Sequence, residues 1–471
     1  MSTPNTHHGA SYIKKIMDNG RNGSVFFAGA GGIMMSSLAL LTKLAGYMVS
    51  GSDRARSPLT DKLEDSGITL HFSHSEDNLP ADCIAFIYTV AISEDNPEYI
   101  AAKERGIPCI SRADYLGYIM TEYKNRIGIA GMHGKSSVTS MCAQIFLDFE
   151  KSGGTRPTII SGATYKNMDG AYYLGERENF IFEACEYMDS FLDFNPTVAV
   201  LLNAEMEHVD YFKSMEQIIH SFAKYASLTG ENGVCIANAD DENIMAAVKG
   251  YKGKLYTFSL ERDADFYADS ISIEDNMQCF DLYINKEFVT RIKMRAYGRH
   301  NVYNALSAIG AAYSVGLPME IIQKGLYNFV GAGRRMEYKG KLLGADIYDD
   351  YGHHPTEAKA TLSGARDMAQ GRLICVFQPH TYSRTAALID KFPEALSMCD
   401  KVIFCDIYAA REENTFDISS KDLADAVGKK AIYGGSIAEC ADALKAEIRE
   451  GDTVIIMGAG DIYKIYKMLG L

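Results

Sequence analysis

An α/β chain of three domains, each built on a largely parallel sheet, is the fold class that this sequence predicts. Short runs rich in β-branched and aromatic residues alternate with longer helical patterns, the alternation that parallel layers require. The 471 residues exceed what one hydrophobic core supports. Three glycine-bearing strand-to-helix junctions, FAGAGGIMM, GMHGKSS and MGAGD, fall one to a block.

The first block runs from VFFAGAGG through YMVSGSD and AFIYTV to IPCIS and ends near Arg112. A helical connector, ADYLGYIMTEYKN, leads to a second block opened by the strand RIGIAG, with TIISGA, FIFEACE, VAVLLNAE and GVCIANAD as further strands. The β-rich stretch ISIEDNMQCFDLYINKEFVTRIKMRAYG follows, then the helix NVYNALSAIGAAYSVGL. VGAGRRM marks the second boundary, and LICVFQ, VIFCDIY and TVIIMGAG are the strands of the third block. The expected domains are 1–112, 113–330 and 331–471.

Composition narrows the function. With 47% apolar and 23% charged residues the chain is globular rather than disordered. A net charge of −14 offers no basic stripe to displace counterions, so nucleic acid is excluded as a partner. The ten cysteines are scattered, never in CxxC, and sit mostly in apolar runs, as reduced cytosolic thiols do. No apolar run reaches spanning length and the start MSTPNTHHGASY has no apolar h-region, so a cytoplasmic protein without a membrane partner is expected.

The second junction is the strongest of the three. In GMHGKSS (131–137) a glycine turn behind a strand lets backbone N–H groups wrap a phosphate, and the following helix adds its dipole. Lys135 supplies a point charge and the Ser136 hydroxyl a magnesium ligand. The spacing is the short GxxGK[ST]; the longer phosphate-loop pattern would need glycine at Ile129. FAGAGGIMM resembles a dinucleotide-binding Rossmann turn with Met34 in the third glycine's place, and Asp53 ends the next strand where a ribose contact belongs. MGAGD reads as a turn from the last strand into its helix.

Two acidic motifs end neighbouring strands. FEACEYMDSF brings Glu183 and Glu186, and NAEMEHVDYF brings His208, to the carboxyl ends where parallel sheets bind ligands. A carboxylate and an imidazole beside a phosphate loop suit Mg2+ on ATP phosphates. Singly, each reads as a solvated acid or a satisfied histidine. YDDYGHHPTEA (348–358) and FQPHTYSRT (377–385) concentrate tyrosines, acids, His353, His380 and Arg384 in the third block.

The ordered set GxxGK[ST], EACE, NxExEH, YGRHNxxN, GAGRR, DDYGHHPTE, FQPHxYSRT and MGAGDI resembles the Mur ligase family from about Val25 to Tyr463. That resemblance implies a Rossmann-like UDP-sugar domain, a P-loop ATP domain and a mobile Rossmann-like C-terminal domain. It implies that ATP phosphorylates the lactyl carboxylate of UDP-N-acetylmuramate and that L-alanine attacks the acyl phosphate, in peptidoglycan precursor synthesis. Carried over residue by residue, Gly131, Met132, His133, Gly134, Lys135, Ser136 and Ser137 cradle ATP. Ser136 and Glu186 hold one Mg2+ and His208 a second, while Asn301 and Asn304 meet adenine. Arg334 and Asp349 also reach ATP. Tyr351, His353, His380 and Arg384 surround alanine and the reacting carboxylate, with His353 as candidate base. Gly31, Gly32, Ser52, Asp53 and His74 line the nucleotide-sugar site. Lys135, Glu186, His208, His353 and Arg384 form the catalytic set.

The sequence departs from the family pattern at Met34 and Ser37, where glycine is preferred. It also departs at Met132, at Cys185 in place of aspartate, and at Thr381 in place of arginine. Met34 is expected to turn into the core while amides of Ala30 to Ile33 serve a diphosphate. Two rival readings are a family member that recycles muropeptide by attaching a tripeptide and a nicotinamide-dependent dehydrogenase built on the first junction. DDYGHHP and FQPHTYSRT argue against the first; the second leaves the phosphate loop unexplained.

Overall fold

The computed structural model describes residues 9–89, 91–168, 170–208, 211–275, 277–331, 333–410 and 412–471. The first eight residues, on which the reading of the N-terminus rests, lie outside them, as do Val209 and Asp210 of the histidine motif and Ala332 of GAGRR. No helix of the described residues is long and apolar enough to cross a membrane. The chain packs as two compact units, 1–266 with 307–325 and 267–306 with 326–471.

The first unit holds the first expected block and most of the second. Its N-terminal sheet is wholly parallel, in the order Thr69–His71, Met48–Ser52, Ser24–Ala28, Cys83–Tyr88, Cys109–Ser111. The central strand SVFFA is buried at every position, as a strand covered on both faces must be. Its other sheet runs Gly170–Tyr173, Thr158–Tyr165, Asn179–Glu183, Asn125–Ala130, Val198–Leu201, Val234–Asn238, Lys254–Ser259. Gly170–Tyr173 pairs antiparallel with Thr158–Tyr165, and every pair from Thr158–Tyr165 through Lys254–Ser259 is parallel. One hydrophobic cluster includes Val25, Phe27 and Leu38 of the first block and Phe180, Phe182 and Leu201 of the second. That shared core is why these blocks form one packing unit.

The second unit contains the β-rich stretch, with Phe266–Glu274, Met277–Ile284 and Glu287–Met294 as neighbours in that order. It also holds a six-stranded sheet ordered Glu337–Leu342, Ala345–Asp350, Thr453–Met457, Leu373–Phe377, Lys401–Cys405, Ala431–Gly435. Glu337–Leu342 pairs antiparallel with Ala345–Asp350, and the remaining pairs are parallel. The strands LICVF and TVIIM are fully buried, which explains their unbroken apolar composition.

Candidate functional site

The phosphate loop is built by the strand Asn125–Ala130, which feeds the helix Lys135–Lys151 through Gly131–Gly134. Gly134 caps that helix at φ 87°, a left-handed conformation that glycine takes without steric cost. Asn203, at the end of the neighbouring strand, clamps the turn. Its Oδ1 accepts from His133 N at 2.8 Å, its Nδ2 donates to His133 O at 3.0 Å, and its carbonyl accepts from Met132 N at 3.2 Å. Ser136 and Ser137 fall in the first turn of the helix.

Lys135 folds over the loop, donating to the carbonyls of Gly131 at 2.5 Å and Met132 at 3.1 Å. Its Nζ lies 2.9 Å from Oε2 of Glu186 and donates to Oε1 at 3.1 Å. The Glu186 side chain is 1% exposed. Burial alone would raise its carboxyl, but the Lys135 ammonium and the hydrogen bonds from His208 and Lys135 hold it below the ordinary value. Burial likewise works against the Lys135 charge, and Glu186 carries it above its ordinary value. His208 Nε2 meets Glu186 Oε1 at 3.1 Å, with the Tyr187 ring 4.8 Å from the imidazole. His208 stands at φ 52°, a left-handed geometry that costs a non-glycine residue about 1–2 kcal/mol.

The structure thus gathers Lys135, Glu186 and His208 beyond the ends of three neighbouring strands, Asn125–Ala130, Asn179–Glu183 and Val198–Leu201. Ser136 is placed differently from the expected pairing: its hydroxyl donates to Glu183 at 2.9 Å, and Gly162 N donates to the same oxygen at 3.0 Å. Glu183 therefore stands beside Lys135, Ser136, Glu186 and His208, visible in its motif but without a role that the sequence alone could assign.

At the Rossmann-like turn the expectation needs correction. The amides of Gly29 and Ala30 donate to Ser52 O at 2.8 and 2.9 Å, Gly31 N to Asp53 Oδ2 at 2.8 Å, and Gly32 N to Gly29 O at 3.3 Å. Only from Ile33, the first residue of the helix Ile33–Leu44, does the turn leave amides beyond this internal set. Ser52 is fully buried and its hydroxyl donates to Glu98 at 2.7 Å. Met34 is half-buried against the core, while its neighbour Met35 is the fully inserted methionine; Ser37 is buried and donates to Met34 O at 2.8 Å.

In the second unit Arg334 is the hub. It donates to Asp349 Oδ2 at 3.2 Å and to the carbonyl of Gly458 at 2.7 Å, and its guanidinium lies 5.1 Å from the Tyr351 ring centroid. Burial outweighs Arg334 and raises the Asp349 carboxyl. The MGAGD turn is thereby more than a strand exit: Gln378 also donates to Asp461 and accepts from Ile462 N. Its neighbour Asp350, buried and pushed up to about 6, accepts from Gly352 N and Met336 N and so shapes the Tyr351–His353 loop.

The rings of Tyr351 and His353 lie 5.9 Å apart, and those of His353 and His380 5.4 Å. Arg384 Nη1 is 3.3 Å from His380 Nδ1. Burial, with Arg384 and His380 nearby, pushes His353 down to about 4, and burial with Arg384 lowers His380. His354 serves as a helix cap, its Nδ1 accepting from Thr356 N. Thr381, at φ 65°, caps the helix carrying Arg384. Asn301 donates to Tyr297 O and Asn304 to Asn301 Oδ1 at the start of the helix Arg299–Ser314.

Comparison with known proteins agrees along the chain. Residues 24–124 match the Mur ligase family catalytic domain, 129–312 the Mur ligase middle domain, and 334–460 the Mur ligase glutamate ligase domain. The chain is 41% identical over 449 residues to the UDP-N-acetylmuramate–L-alanine ligase of Caldicellulosiruptor saccharolyticus, covering 94% of this chain and 97% of the relative. It is 42% identical to the enzyme of the same name from Acetivibrio thermocellus, over 96% and 97% of the two chains. The crystal structure of UDP-N-acetylmuramate-alanine ligase from Thermotoga maritima superposes with a TM-score of 0.77 at 25% identity, over 95% of this chain and 98% of that one. A murein peptide ligase from Psychrobacter arcticus shares the fold, with a TM-score of 0.66 at 23% identity. With a lysine–carboxylate–imidazole cluster behind a phosphate loop and family matches in all three blocks, the chain belongs to the Mur ligase family.

Proposed function

We propose that this chain is an ATP-dependent acid–amino-acid ligase that joins L-alanine to the lactyl carboxylate of UDP-N-acetylmuramate in the cytoplasm, through an acyl phosphate. The observation that carries the reading is the Lys135–Glu186–His208 cluster behind the phosphate loop, in a chain about 41% identical over nearly its full length to ligases of that name. The dehydrogenase reading loses its footing, because residues 24–124, on which it was built, match the Mur ligase family.

A carboxylate approaching ATP is repelled by its phosphates, so the residues must neutralise charge and align the reactants. Lys135 supplies a fixed positive charge at the loop. The donor types suit magnesium: Glu186 offers a buried carboxylate beside the His208 imidazole, and the Glu183 carboxylate lies beside the Ser136 hydroxyl. We assign Ser136, Glu186 and His208 as its ligands; bound there, magnesium would add divalent charge against the phosphate oxygens. Gly131–Ser137, Asn301, Asn304, Arg334 and Asp349 are the proposed ATP contacts, and Asp53 and His74 those of the nucleotide-sugar. Tyr351, His353, His380 and Arg384 are assigned to alanine and its target carboxylate.

His353, held near 4, is unprotonated at neutral pH and accepts a hydrogen bond from the alanine amine. A group so weakly basic takes a full proton from an ammonium poorly, so we assign it orientation of the amine instead of its deprotonation.

The test is phosphate release from ATP in the presence of UDP-N-acetylmuramate and magnesium, with single amino acids or L-alanyl-γ-D-glutamyl-diaminopimelate added in turn. Release that depends on the nucleotide-sugar and is fastest with L-alanine is expected. Faster release with the tripeptide would replace this reading with the muropeptide-recycling one.

A further inference from the structure

Glu98 is the second residue of the helix Pro97–Glu104, a place where an acid ordinarily sits in solvent beside the helix N-terminus. Here it is 0% exposed. Oε2 accepts from Ser52 Oγ at 2.7 Å and meets His74 Nδ1 at 2.9 Å, and Oε1 accepts from Asn78 Nδ2 at 2.7 Å. Ser52 ends the strand Met48–Ser52, His74 follows the strand Thr69–His71, and Asn78 ends the turn Glu76–Asn78. Asn78 Nδ2 also donates to Ser73 O at 2.6 Å, which ties the His74 loop to the same carboxylate. A buried carboxylate is costly unless its lone pairs are met, and here three side chains from three segments meet them.

A staple that merely held this loop would need no imidazole. The cluster is graded in exposure: Glu98 and Ser52 are fully buried, whereas the His74 side chain is 19% exposed. A carboxylate only accepts, so the Nδ1 of His74 carries the hydrogen that meets it. The tautomer and the ring plane are thereby fixed, and Nε2 is the nitrogen that the cluster does not use.

We propose that Glu98 is a positioning residue: through His74 it sets the one group of this cluster, Nε2, that hydrogen-bonds the nucleotide-sugar, with Ser52 acting behind it. The inference rests on the reading of the first block as the nucleotide-sugar site and adds the residue that organises it. Losing a single oriented hydrogen bond weakens binding about five- to tenfold.

The experiment is steady-state kinetics of the full chain as wild type, Glu98→Gln, His74→Ala and the double variant, with KM measured separately for UDP-N-acetylmuramate and ATP. Expected is a five- to tenfold rise in KM for the nucleotide-sugar in each single variant, with kcat and the KM for ATP changed less than twofold. The double variant should be no worse than His74→Ala, because both act through one contact. Unchanged KM in Glu98→Gln overturns the proposal, as does multiplication of the two effects in the double variant. An equal loss in kcat and in both KM values also overturns it, since that marks a structural role alone. If Glu98→Gln does not fold, Glu98→Asp, which keeps the charge but shortens its reach, is held to the same criteria. A wild type that turns over no UDP-N-acetylmuramate overturns the parent reading as well, and is distinguished by that result.

Discussion

Replacing Lys135 with methionine tests whether this lysine, proposed to act on ATP, also holds the fold. Methionine keeps much of the volume and removes the ammonium from Glu186, whose side chain is 1% exposed. Breaking a buried pair by deleting one partner costs about 3–5 kcal/mol. His208 still bonds Glu186 at 3.1 Å, which puts the expected loss near the lower end, about 3 kcal/mol. Loss of a charge poised for phosphoryl transfer should lower kcat by at least about a hundredfold. The double variant Lys135→Met/Glu186→Gln removes both charges and should regain about 2 kcal/mol of stability while remaining inactive. Because the chain has no tryptophan, guanidinium unfolding is best followed by far-ultraviolet circular dichroism. A Lys135→Met protein as stable as wild type, or single-variant losses that simply add in the double, would refute the argument.

Two further outcomes follow from features away from that pair. Met34→Gly should destabilise by about 2 kcal/mol, from glycine in the first turn of a helix and from lost burial, while calorimetric affinity for UDP-N-acetylmuramate stays within about threefold. Affinity present only in the glycine variant would mean that the first junction does not serve this substrate. His353 binds its proton more weakly in the folded chain, near 4 against an ordinary 6.5, so its contribution to stability is present above 6.5 and lost as pH falls toward 4. Between pH 7 and 5, wild type should therefore lose up to about 2 kcal/mol relative to His353→Gln. Asp350, raised to about 6, shifts stability the opposite way in both proteins and cancels in that difference.

Sequence alone carried the strand–turn–helix geometry of GMHGKSS well, because a glycine turn followed by lysine and serine behind an apolar strand has few alternative backbone readings. Glu186 and His208 were legible only as a pair, through the rule that places ligands at strand carboxyl ends. Glu98 was not legible: Asn96 caps its helix, Pro97 starts it, and an acid in the first turn already satisfies the local rules. Only the fold brings Ser52 and His74 to it from elsewhere. The commitment of the Ser52 hydroxyl to Glu98 was not legible for a related reason, since a position at a strand end says nothing about which way the hydroxyl turns. The antiparallel hairpin Glu337–Leu342 with Ala345–Asp350 was also missed. Its turn passes through Leu343 at φ 49° and Gly344 at φ 85°, and the glycine was hidden among neighbouring glycines and charged residues. The two-unit packing could not be read from local pattern either, as it depends on a core shared between blocks.

The strand order of the C-terminal sheet bears on how the protein is made. Thr453–Met457, last in sequence, lies between Ala345–Asp350 and Leu373–Phe377, and pairs in parallel with both. Arg334, near the start of this region, donates to the carbonyl of Gly458, 124 residues later. A nascent chain therefore carries two half-sheets with unpaired inner edges until Thr453–Met457 has been synthesised. The arginine hub cannot be completed earlier, and such long-range parallel pairing is slow to form. A product terminated before residue 453 would have the outer strands of this sheet and no middle, exposing backbone to aggregation and proteolysis instead of yielding a partly working enzyme.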